Sequence, residues 1–336
     1  MTLMLLRRAQ LRNPTKLVFF SPIHFMRQKS SSALLSSYVV TPKELWEALG
    51  ENFSARCTAP RLIPVCASWF LPNDPKERTG QQVFREKRIP SARFFDLDAV
   101  KDHDSPYPHM LPTTEAFAQA MKDIGVRKDD EVVVYDTQEL GIFSAPRVGW
   151  TFKVFGHPKV HILNNFRLWV EQGYPTESGD PPPTTEDGSN YPIPDFNPDM
   201  VVKFAEVKQI AREYGKDGSE KIQVLDARSK GRWAGTEPEP RPGLPSGHMP
   251  GSFSVPITDL LDPVNKTLLS GDDLRKIFDS KGIDPSQPII SSCGTGVTAA
   301  VIDIALSEAD FGKAQDRRLY DGSWTYVSLS WIDVTC

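Results

Sequence analysis

Short runs of β-branched and aliphatic residues alternate along this chain with stretches in which apolar residues recur every three or four positions. The apolar runs have the length of buried strands. They are Leu62 to Cys66, Glu131 to Tyr135, Val160 to Leu163, Lys221 to Leu225, Pro288 to Ser291 and Arg318 to Tyr320. The three- and four-residue spacing predicts helices at Phe143 to Phe155, Val201 to Glu213 and Val297 to Glu308. Alternating strands and helices predict an α/β fold, in which a parallel sheet is flanked by helices on both faces.

The alternation occurs twice, with the two copies about 160 positions apart. Cys66, at the end of one apolar run, corresponds to Asp226 at an offset of 160, and the run ending at Asp136 corresponds to the run ending at Cys293 at an offset of 157. Matches at a nearly constant offset indicate an internal duplication. Between the copies, the seven prolines of the stretch Pro175 to Pro198 predict an extended linker.

The duplication predicts two tandem domains, which we call the N-terminal half (residues 38–175) and the C-terminal half (residues 199–336). Residues 176–198 are the expected Pro-rich linker. Residues 1–37 contain six basic residues, six serines and no acid, a composition typical of a mitochondrial transit peptide. A basic tail on a cytoplasmic protein is the alternative interpretation of this segment.

Charge and cysteine content exclude several classes of function. The 336 residues include 39 Lys and Arg against 43 Asp and Glu, and without the six N-terminal bases the ratio is 33 to 43, which argues against binding of a nucleic-acid backbone. Four cysteines are too few for a disulfide framework and point to free thiols in a reducing compartment. No apolar stretch approaches the roughly 18 residues of a membrane span. We expect a monomer with no membrane and no direct nucleic-acid partner.

One cysteine lies at the junction of a predicted strand and a predicted helix. Cys293 is followed by Gly294 and Gly296, which allow backbone conformations that point several N–H groups inward beside the helix N-terminus. The backbone of five residues would form this cradle: Gly294, Thr295, Gly296, Val297 and Thr298. It would stabilise a thiolate or a persulfide anion. A phosphatase loop would need an arginine where Ala299 stands, and an inert buried thiol is the remaining alternative.

Four motifs carry a resemblance to a known family. They are the loop Cys293 to Ala299, the stretch Gly231 to Arg241 with its Glu-Pro-Glu-Pro-Arg sequence, the run Gly247 to Gly251, and Tyr320 to Trp324. With these motifs the chain resembles the rhodanese superfamily, and within it the 3-mercaptopyruvate sulfurtransferases, over the region from Tyr38 to Trp331. The resemblance implies two tandem rhodanese-like domains, the first of them catalytically silent. In agreement, Asp136 stands at the position that corresponds to Cys293.

The resemblance also implies roles for individual side chains. Arg232 and Arg241 would anchor the substrate, since guanidinium groups can hold the carboxylate and ketone oxygens of a 2-oxo acid. Surface arginines paired with neighbouring glutamates are the alternative interpretation. A catalytic relay would consist of Thr295, His109 and Asp98, with threonine at a position where the family commonly has serine.

The expected reaction moves sulfur from 3-mercaptopyruvate to a thiol such as thioredoxin or glutathione, or to cyanide, through a persulfide on Cys293, and it releases pyruvate. Gly294 and Thr295 add no charge beside the nucleophile, which favours a monoanionic 2-oxo acid over the thiosulfate dianion. No cofactor or metal is expected, because the chain lacks a zinc-ligand spacing such as Cys-x2-Cys. Two alternatives stay open: a thiosulfate sulfurtransferase, and a sulfur-relay or docking protein that feeds tRNA thiolation.

Overall fold

The structure of the chain is a computed structural model that describes residues 34–54, 61–181, 191–219 and 221–330. Residues 1–33 of the expected transit peptide and residues 182–190 of the expected linker lie outside this range, as do Cys57 and Cys336. Within it, no helix is long and apolar enough to cross a membrane.

Two five-stranded sheets form the frame of the molecule. The strands of the first sheet are β1 (Val39–Val40), β2 (Leu62–Cys66), β3 (Arg93–Phe94), β4 (Glu131–Tyr135) and β5 (Val160–Leu163). The strands of the second are β6 (Val201–Val202), β7 (Gln223–Asp226), β8 (Phe253–Ser254), β9 (Ile289–Ser292) and β10 (Arg317–Tyr320). The strand orders are β1-β5-β4-β2-β3 and β6-β10-β9-β7-β8, and every pairing is parallel. The α/β class and the tandem arrangement are thus confirmed.

Helices cover the two sheets. Those of the N-terminal half are α1 (Pro42–Ser54), α2 (Gly80–Glu86), α3 (Thr114–Asp123), α4 (Ala145–Val154) and α5 (Phe166–Glu171). Those of the C-terminal half are α6 (Phe204–Glu213), α7 (Lys230–Ala234), α8 (Ile257–Leu260), α9 (Gly271–Ser280), α10 (Ala299–Glu308) and α11 (Ser323–Ser330). Short 3-10 helices cover Pro198–Met200 and Ala314–Asp316. Because helices lie over both faces, the strands β2, β4, β5, β7 and β9 are buried along their whole length. The first three appear in the sequence as mostly apolar runs, whereas β7 and β9 each consist of two apolar and two polar residues.

The two halves meet through α4 and α10. Nine of the ten residues of α4 are buried, and its Trp150 and Val154 pack in the core cluster that contains α10. In return Val297, just before α10, packs in the core of the N-terminal half. Each half therefore completes part of the other's core, and the two helices begin next to each other at the carboxyl ends of β4 and β9.

One helix boundary expected from the sequence was wrong. Val201 and Val202 do not begin a helix, because they pair with Leu319 and Tyr320 as strand β6, and α6 starts only at Phe204. Two β-branched residues that can add an edge strand are recruited by the sheet, whatever the helical spacing around them.

Tyr191 attaches the expected linker to the N-terminal half. Its ring is buried against Phe117, and its hydroxyl lies 3.0 Å from Nδ1 of His157. The linker is therefore fixed to the core at this point.

A buried carboxylate holds the first described residues of the chain. Glu131, at the start of β4, accepts hydrogen bonds from the backbone N–H groups of Leu34 (3.0 Å) and Leu35 (2.7 Å), and its Oε1 lies 3.3 Å from His161 Nε2. Burial opposes ionisation of Glu131, but His161 and these N–H groups outweigh it and lower the pKa of the carboxyl. Since Leu35 is also buried in the core, the fold begins at or before Leu34.

We expect Glu131→Gln to lower the free energy of unfolding by about 1–3 kcal/mol, because an amide cannot accept both N–H groups and its NH2 would face a donor. Because the pKa of Glu131 is lowered in the folded state, the loss should be present at neutral pH and disappear as the pH falls below the ordinary range of a glutamate. Urea denaturation at both pH values measures it. Glu47→Gln, at an exposed site on α1, is the matched control. Equal effects of the two substitutions at neutral pH would contradict the role of Glu131.

Candidate active site

Strand β9 delivers Cys293 to the carboxyl edge of the second sheet, and the loop of residues 293–298 then leads into α10. The Cys293 side chain is buried, with Sγ 4.0 Å from the Oγ of Ser323. That hydroxyl also accepts the Cys293 backbone N–H at 3.0 Å. Ser323 begins α11, so the nucleophile candidate sits between the N-terminal ends of α10 and α11.

The loop uses its carbonyl groups and leaves its N–H groups available. The carbonyls of Cys293 and Gly294 accept the N–H groups of Trp324 and Thr325, both at 2.9 Å. Within the part of the chain that the structure describes, no group accepts a hydrogen bond from the backbone N–H groups of residues 294–298. Buried N–H groups are almost always paired, so this turn is suited to an anion on the Cys293 sulfur.

Gly296 is required by close contacts. Its φ is +76°, and a Cβ there would lie 2.6 Å from the carbonyl oxygen of Asp321 and 2.7 Å from Nη1 of Arg147. Gly294 is less restricted, but a Cβ at this position would lie 3.1 Å from Nη2 of Arg232. The backbone of Gly294 therefore lies close to the Arg232 guanidinium.

The three residues of the expected relay are brought together across the two halves. His109 Nδ1 lies 3.1 Å from Oγ1 of Thr295, and His109 Nε2 lies 2.9 Å from Oδ1 of Asp98. Trp69 donates its indole N–H to the other oxygen of Asp98 at 3.0 Å and packs edge-on against the imidazole. His109 itself adopts the strained φ of +62°.

The electrostatic environment defines the tautomer of His109. Burial lowers the pKa of the imidazole, and although Asp98 opposes this, the ring is neutral at pH 7. The hydrogen bond from His109 in turn lowers the pKa of Asp98, so the carboxylate accepts the Nε2 proton. Nδ1 is then the acceptor of the Thr295 hydroxyl proton.

The two predicted arginines differ in their pairing. Arg232 makes a two-pronged contact with Glu239, with Nε at 3.1 Å and Nη2 at 2.5 Å from Oε2. Arg241 lines the same cavity as Cys293 and has no ion pair or hydrogen bond among the described residues. Burial lowers the pKa of Arg241. It is the unpaired cation at this site.

A third arginine lies beside them, and the sequence analysis did not assign it. Arg228 is buried and fully paired: it binds Asp226 through Nε and Nη2, Glu239 through Nη1 at 2.7 Å, and the Gly247 carbonyl at 2.6 Å. Glu239 thus bridges Arg228 and Arg232 and fixes both guanidinium groups.

Arg228, Arg232, Arg241 and Cys293 line a cavity of about 170 Å³ between the two halves. Trp69 and Phe143 form its apolar wall on the N-terminal side, with nearly parallel rings 6.3 Å apart. The volume of the cavity suits a three-carbon acid, and the cavity has one polar side and one apolar side. The described residues contain no cluster of His, Cys, Asp and Glu that could hold a metal ion.

A buried ion pair joins the Cys293 loop to the N-terminal half. Arg147 of α4 donates from Nη2 to Asp321 Oδ1 at 2.5 Å and to the His109 carbonyl at 2.6 Å. Asp321 Oδ2 accepts the N–H of Leu111 at 2.8 Å, two residues after His109. Nη1 of Arg147 lies 3.4 Å from the Gly296 carbonyl. One pair therefore positions both the histidine segment and the cysteine loop.

The N-terminal half has a longer loop at the corresponding place, between β4 and α4, and the side chain of Asp136 fills it. Asp136 accepts the backbone N–H groups of Phe143 (2.7 Å), Ser144 (3.1 Å) and Ala145 (2.9 Å), together with the Ser144 hydroxyl. Burial raises the pKa of Asp136 to about 6 despite these donors. No nucleophile stands at this position, and the donors that would stabilise one are occupied.

Some residues of the site left a signal that the sequence analysis did not use. Arg147 is a charged residue inside an apolar helical pattern, which indicates a buried pairing partner. Glu239 and Asp321 lie within motifs quoted for the family resemblance, but their contacts depend on tertiary structure. Trp69 and Phe143 carried no local signal at all.

Comparisons with known proteins agree on one group. The chain is 42% identical over 277 residues to the thiosulfate sulfurtransferase TUM1 of Saccharomyces cerevisiae, covering 79% of this chain and 88% of the yeast protein. It is 41% identical over 289 residues to thiosulfate/3-mercaptopyruvate sulfurtransferase 1, mitochondrial, of Arabidopsis thaliana, covering 81% and 73%. The structure of the 3-mercaptopyruvate sulfotransferase SseA from Escherichia coli superimposes with a TM-score of 0.70 at 35% identity, covering 86% of this chain and 99% of SseA. No family model matches the chain.

We expect Asp321→Asn to destabilise the protein by about 3–5 kcal/mol, because it leaves the buried Arg147 guanidinium without a counter-charge. Chemical denaturation measures the change. Asp273→Asn removes an acid from an exposed pair with Lys276 and should change stability by less than about 1 kcal/mol. A loss of similar size in both variants would show that the buried pair contributes nothing specific.

Proposed function

Because this chain belongs to the family of thiosulfate and 3-mercaptopyruvate sulfurtransferases, we propose that it is an enzyme that moves sulfur from 3-mercaptopyruvate to a thiol acceptor through a persulfide on Cys293. The observation that carries the proposal is the cavity in which Cys293, the free N–H groups of its loop and the unpaired Arg241 face one another. This combination offers a nucleophile, a site for the resulting sulfur anion and a site for a carboxylate.

The balance of charges around the cavity favours a monoanionic donor. Arg228 and Arg232 are paired with the buried carboxylates of Asp226 and Glu239, which leaves the single positive charge of Arg241 without a paired carboxylate among the described residues. The carboxylate of 3-mercaptopyruvate matches this single charge, whereas thiosulfate would bring two charges into a partly apolar cavity. Thiosulfate is therefore the second candidate donor, with lower efficiency.

The first half-reaction breaks the carbon–sulfur bond of the donor. The Cys293 thiolate attacks the substrate sulfur, a sulfur–sulfur bond forms, and the electron pair of the broken bond moves onto the three-carbon fragment as an enolate. Arg241 and Arg232 stabilise the enolate and carboxylate oxygens. The terminal sulfur is held by the N–H groups of residues 294–298.

The relay moves the proton that this step requires. The substrate thiol carries the proton, and the enolate needs one to become pyruvate. Thr295 accepts the thiol proton while passing its own to Nδ1 of His109, and the same path returns a proton to the carbon. Asp98 accepts the hydrogen bond from the Nε2–H of His109 throughout and stabilises the transient imidazolium. The reaction ends with pyruvate and a deprotonated persulfide on Cys293.

In the second half-reaction an acceptor removes the outer sulfur. Thioredoxin, glutathione and cyanide each provide a nucleophile that can attack the terminal sulfur and release the Cys293 thiolate. A protein that only docks partners or passes sulfur along a relay would not release pyruvate, so pyruvate release separates the enzyme from that alternative.

We place the activity in mitochondria. The basic, acid-free composition of residues 1–37 and the mitochondrial name of the Arabidopsis relative support this. The contacts of Leu34 and Leu35 with Glu131 favour a transit peptide that ends before residue 34 rather than at residue 37.

The central test is intact-mass analysis after addition of 3-mercaptopyruvate without an acceptor. We expect one added sulfur atom per chain and one pyruvate released, and neither in Cys293→Ser. The matched control is Cys66→Ser, since Cys66, the last residue of β2, is also buried, but burial raises the pKa of its thiol to about 11 and it lines a cavity that does not include Cys293. Sulfur uptake by Cys293→Ser, or its loss in Cys66→Ser, would refute the assignment. Thiosulfate in place of 3-mercaptopyruvate should load the protein less efficiently.

The relay predicts a shift in the pH dependence of kcat/KM. The wild type should lose activity on the acid side only below His109's ordinary pKa of 6.5, because burial keeps the ring neutral to lower pH. Asp98 raises the pKa of His109, so Asp98→Asn should move the acid limb further down, while kcat falls by about tenfold or more. Asp104→Asn, an exposed neighbour in the same loop, should change neither quantity. An acid limb that stays in place in Asp98→Asn would remove His109 from the relay.

A further inference from the structure

A second cavity lies at the other ends of α4 and α10, away from Cys293. Its volume is about 590 Å³, against about 170 Å³ for the catalytic cavity. The volume falls within the range of small-molecule sites. We call it the distal cavity and define it by four side chains that line it: Tyr38 and Lys153 from the N-terminal half, and Asp303 and Arg317 from the C-terminal half.

These four side chains form no hydrogen bond or ion pair with the described residues. Tyr38 Oη and Arg317 Nε are buried atoms with no hydrogen bond to the described part of the chain. Lys153 and Asp303 likewise form no hydrogen bond or ion pair with any described residue. Lys153 Nζ lies 3.0 Å from the centroid of the Tyr38 ring, so the ammonium rests on the phenol. Since buried polar groups are almost always satisfied, four such groups around one cavity indicate a ligand.

Burial shifts the pKa values of the ionisable groups in the distal cavity. Burial lowers the pKa of Lys153 to about 8, and it raises the pKa of Asp303 even though Lys153 and Arg317 oppose the shift. Arg318, at the edge of the cavity, is already paired with Glu206. A ligand that supplied hydrogen bonds to both signs of charge would relieve the cost.

The charges define the class of ligand. Lys153 and Arg317 can bind an anionic group, and the phenol of Tyr38 can donate a hydrogen bond to it. Asp303, with the exposed Asp199 at the rim, calls for a cationic donor. Both signs of charge are therefore present, and the carboxyl of Glu308 also lies near Lys153, so the cavity suits a molecule with a separated negative and positive group. We propose that the distal cavity binds a zwitterionic α-amino acid, with its carboxylate on Lys153 and Arg317 and its ammonium group on Asp303.

A ligand in this position would connect the two halves. Lys153 lies six residues after Arg147 on α4, about 9 Å along the helix from the ion pair with Asp321. Binding would therefore add a second link across the α4 and α10 interface and stabilise it.

The test is thermal unfolding of the full chain in the presence of each common L-α-amino acid. We expect at least one of them to raise Tm, whereas acetate and methylamine, which carry only one of the two charges, should not. For that amino acid, Lys153→Gln and Asp303→Asn should each weaken binding by about tenfold or more, measured by calorimetry. Asp303→Asn keeps the size and shape of the side chain, so it serves even if Lys153→Gln does not fold.

Two controls separate the distal cavity from other sites. Lys313→Gln removes an exposed cation of the same half and should leave binding unchanged. Arg241→Ala and Cys293→Ser should also leave it unchanged, since the catalytic cavity is not involved. The proposal is overturned if no amino acid raises Tm, if acetate alone reproduces the shift, or if binding is retained in Asp303→Asn or lost in Arg241→Ala. None of these outcomes depends on sulfur transfer, so they do not bear on the proposed function.

Discussion

The active site depends on one buried ion pair, Arg147 with Asp321. Its two partners belong to different halves, and both are buried, so water cannot take the place of either partner. Desolvating two such charges is costly, and the cost is offset in part because Arg147 Nη2 also donates to the His109 carbonyl and Asp321 Oδ2 accepts the Leu111 N–H, while Nε of Arg147 has no hydrogen-bond partner among the described residues. The backbone groups that satisfy the pair belong to His109 and to the second residue after it. The pair that stabilises the interface therefore also positions the histidine of the proposed relay.

Much of the fold could be predicted from the sequence because its signals are local. The central strands are buried on both faces and therefore stand out as apolar runs, and the duplication doubles every signal. Short edge strands are different: Val201 and Val202 form a strand only because β10 offers an edge to pair with. Tertiary pairing of this kind leaves no trace in the residue spacing.

The candidate site divides in the same way. Cys293 and its glycines could be found because a strand, a glycine-rich turn and a helix follow one another in the chain. His109 and Asp98 came only from a family resemblance, since nothing in their own segment shows that they lie opposite Thr295. Glu239 illustrates the limit: its sequence motif was recognised, but the bridge between Arg228 and Arg232 becomes visible only in three dimensions.

The two turns at Asp136 and Cys293 show how a duplicated site can be lost without loss of structure. A carboxylate satisfies the N–H donors of the first turn, whereas those of the second are left available for the proposed sulfur anion. The N-terminal half nevertheless contributes the His109 imidazole, the apolar wall and one member of the buried pair. As a consequence, a cut in the Pro-rich segment would turn catalysis into a bimolecular process, and the activity of the two fragments would fall on dilution.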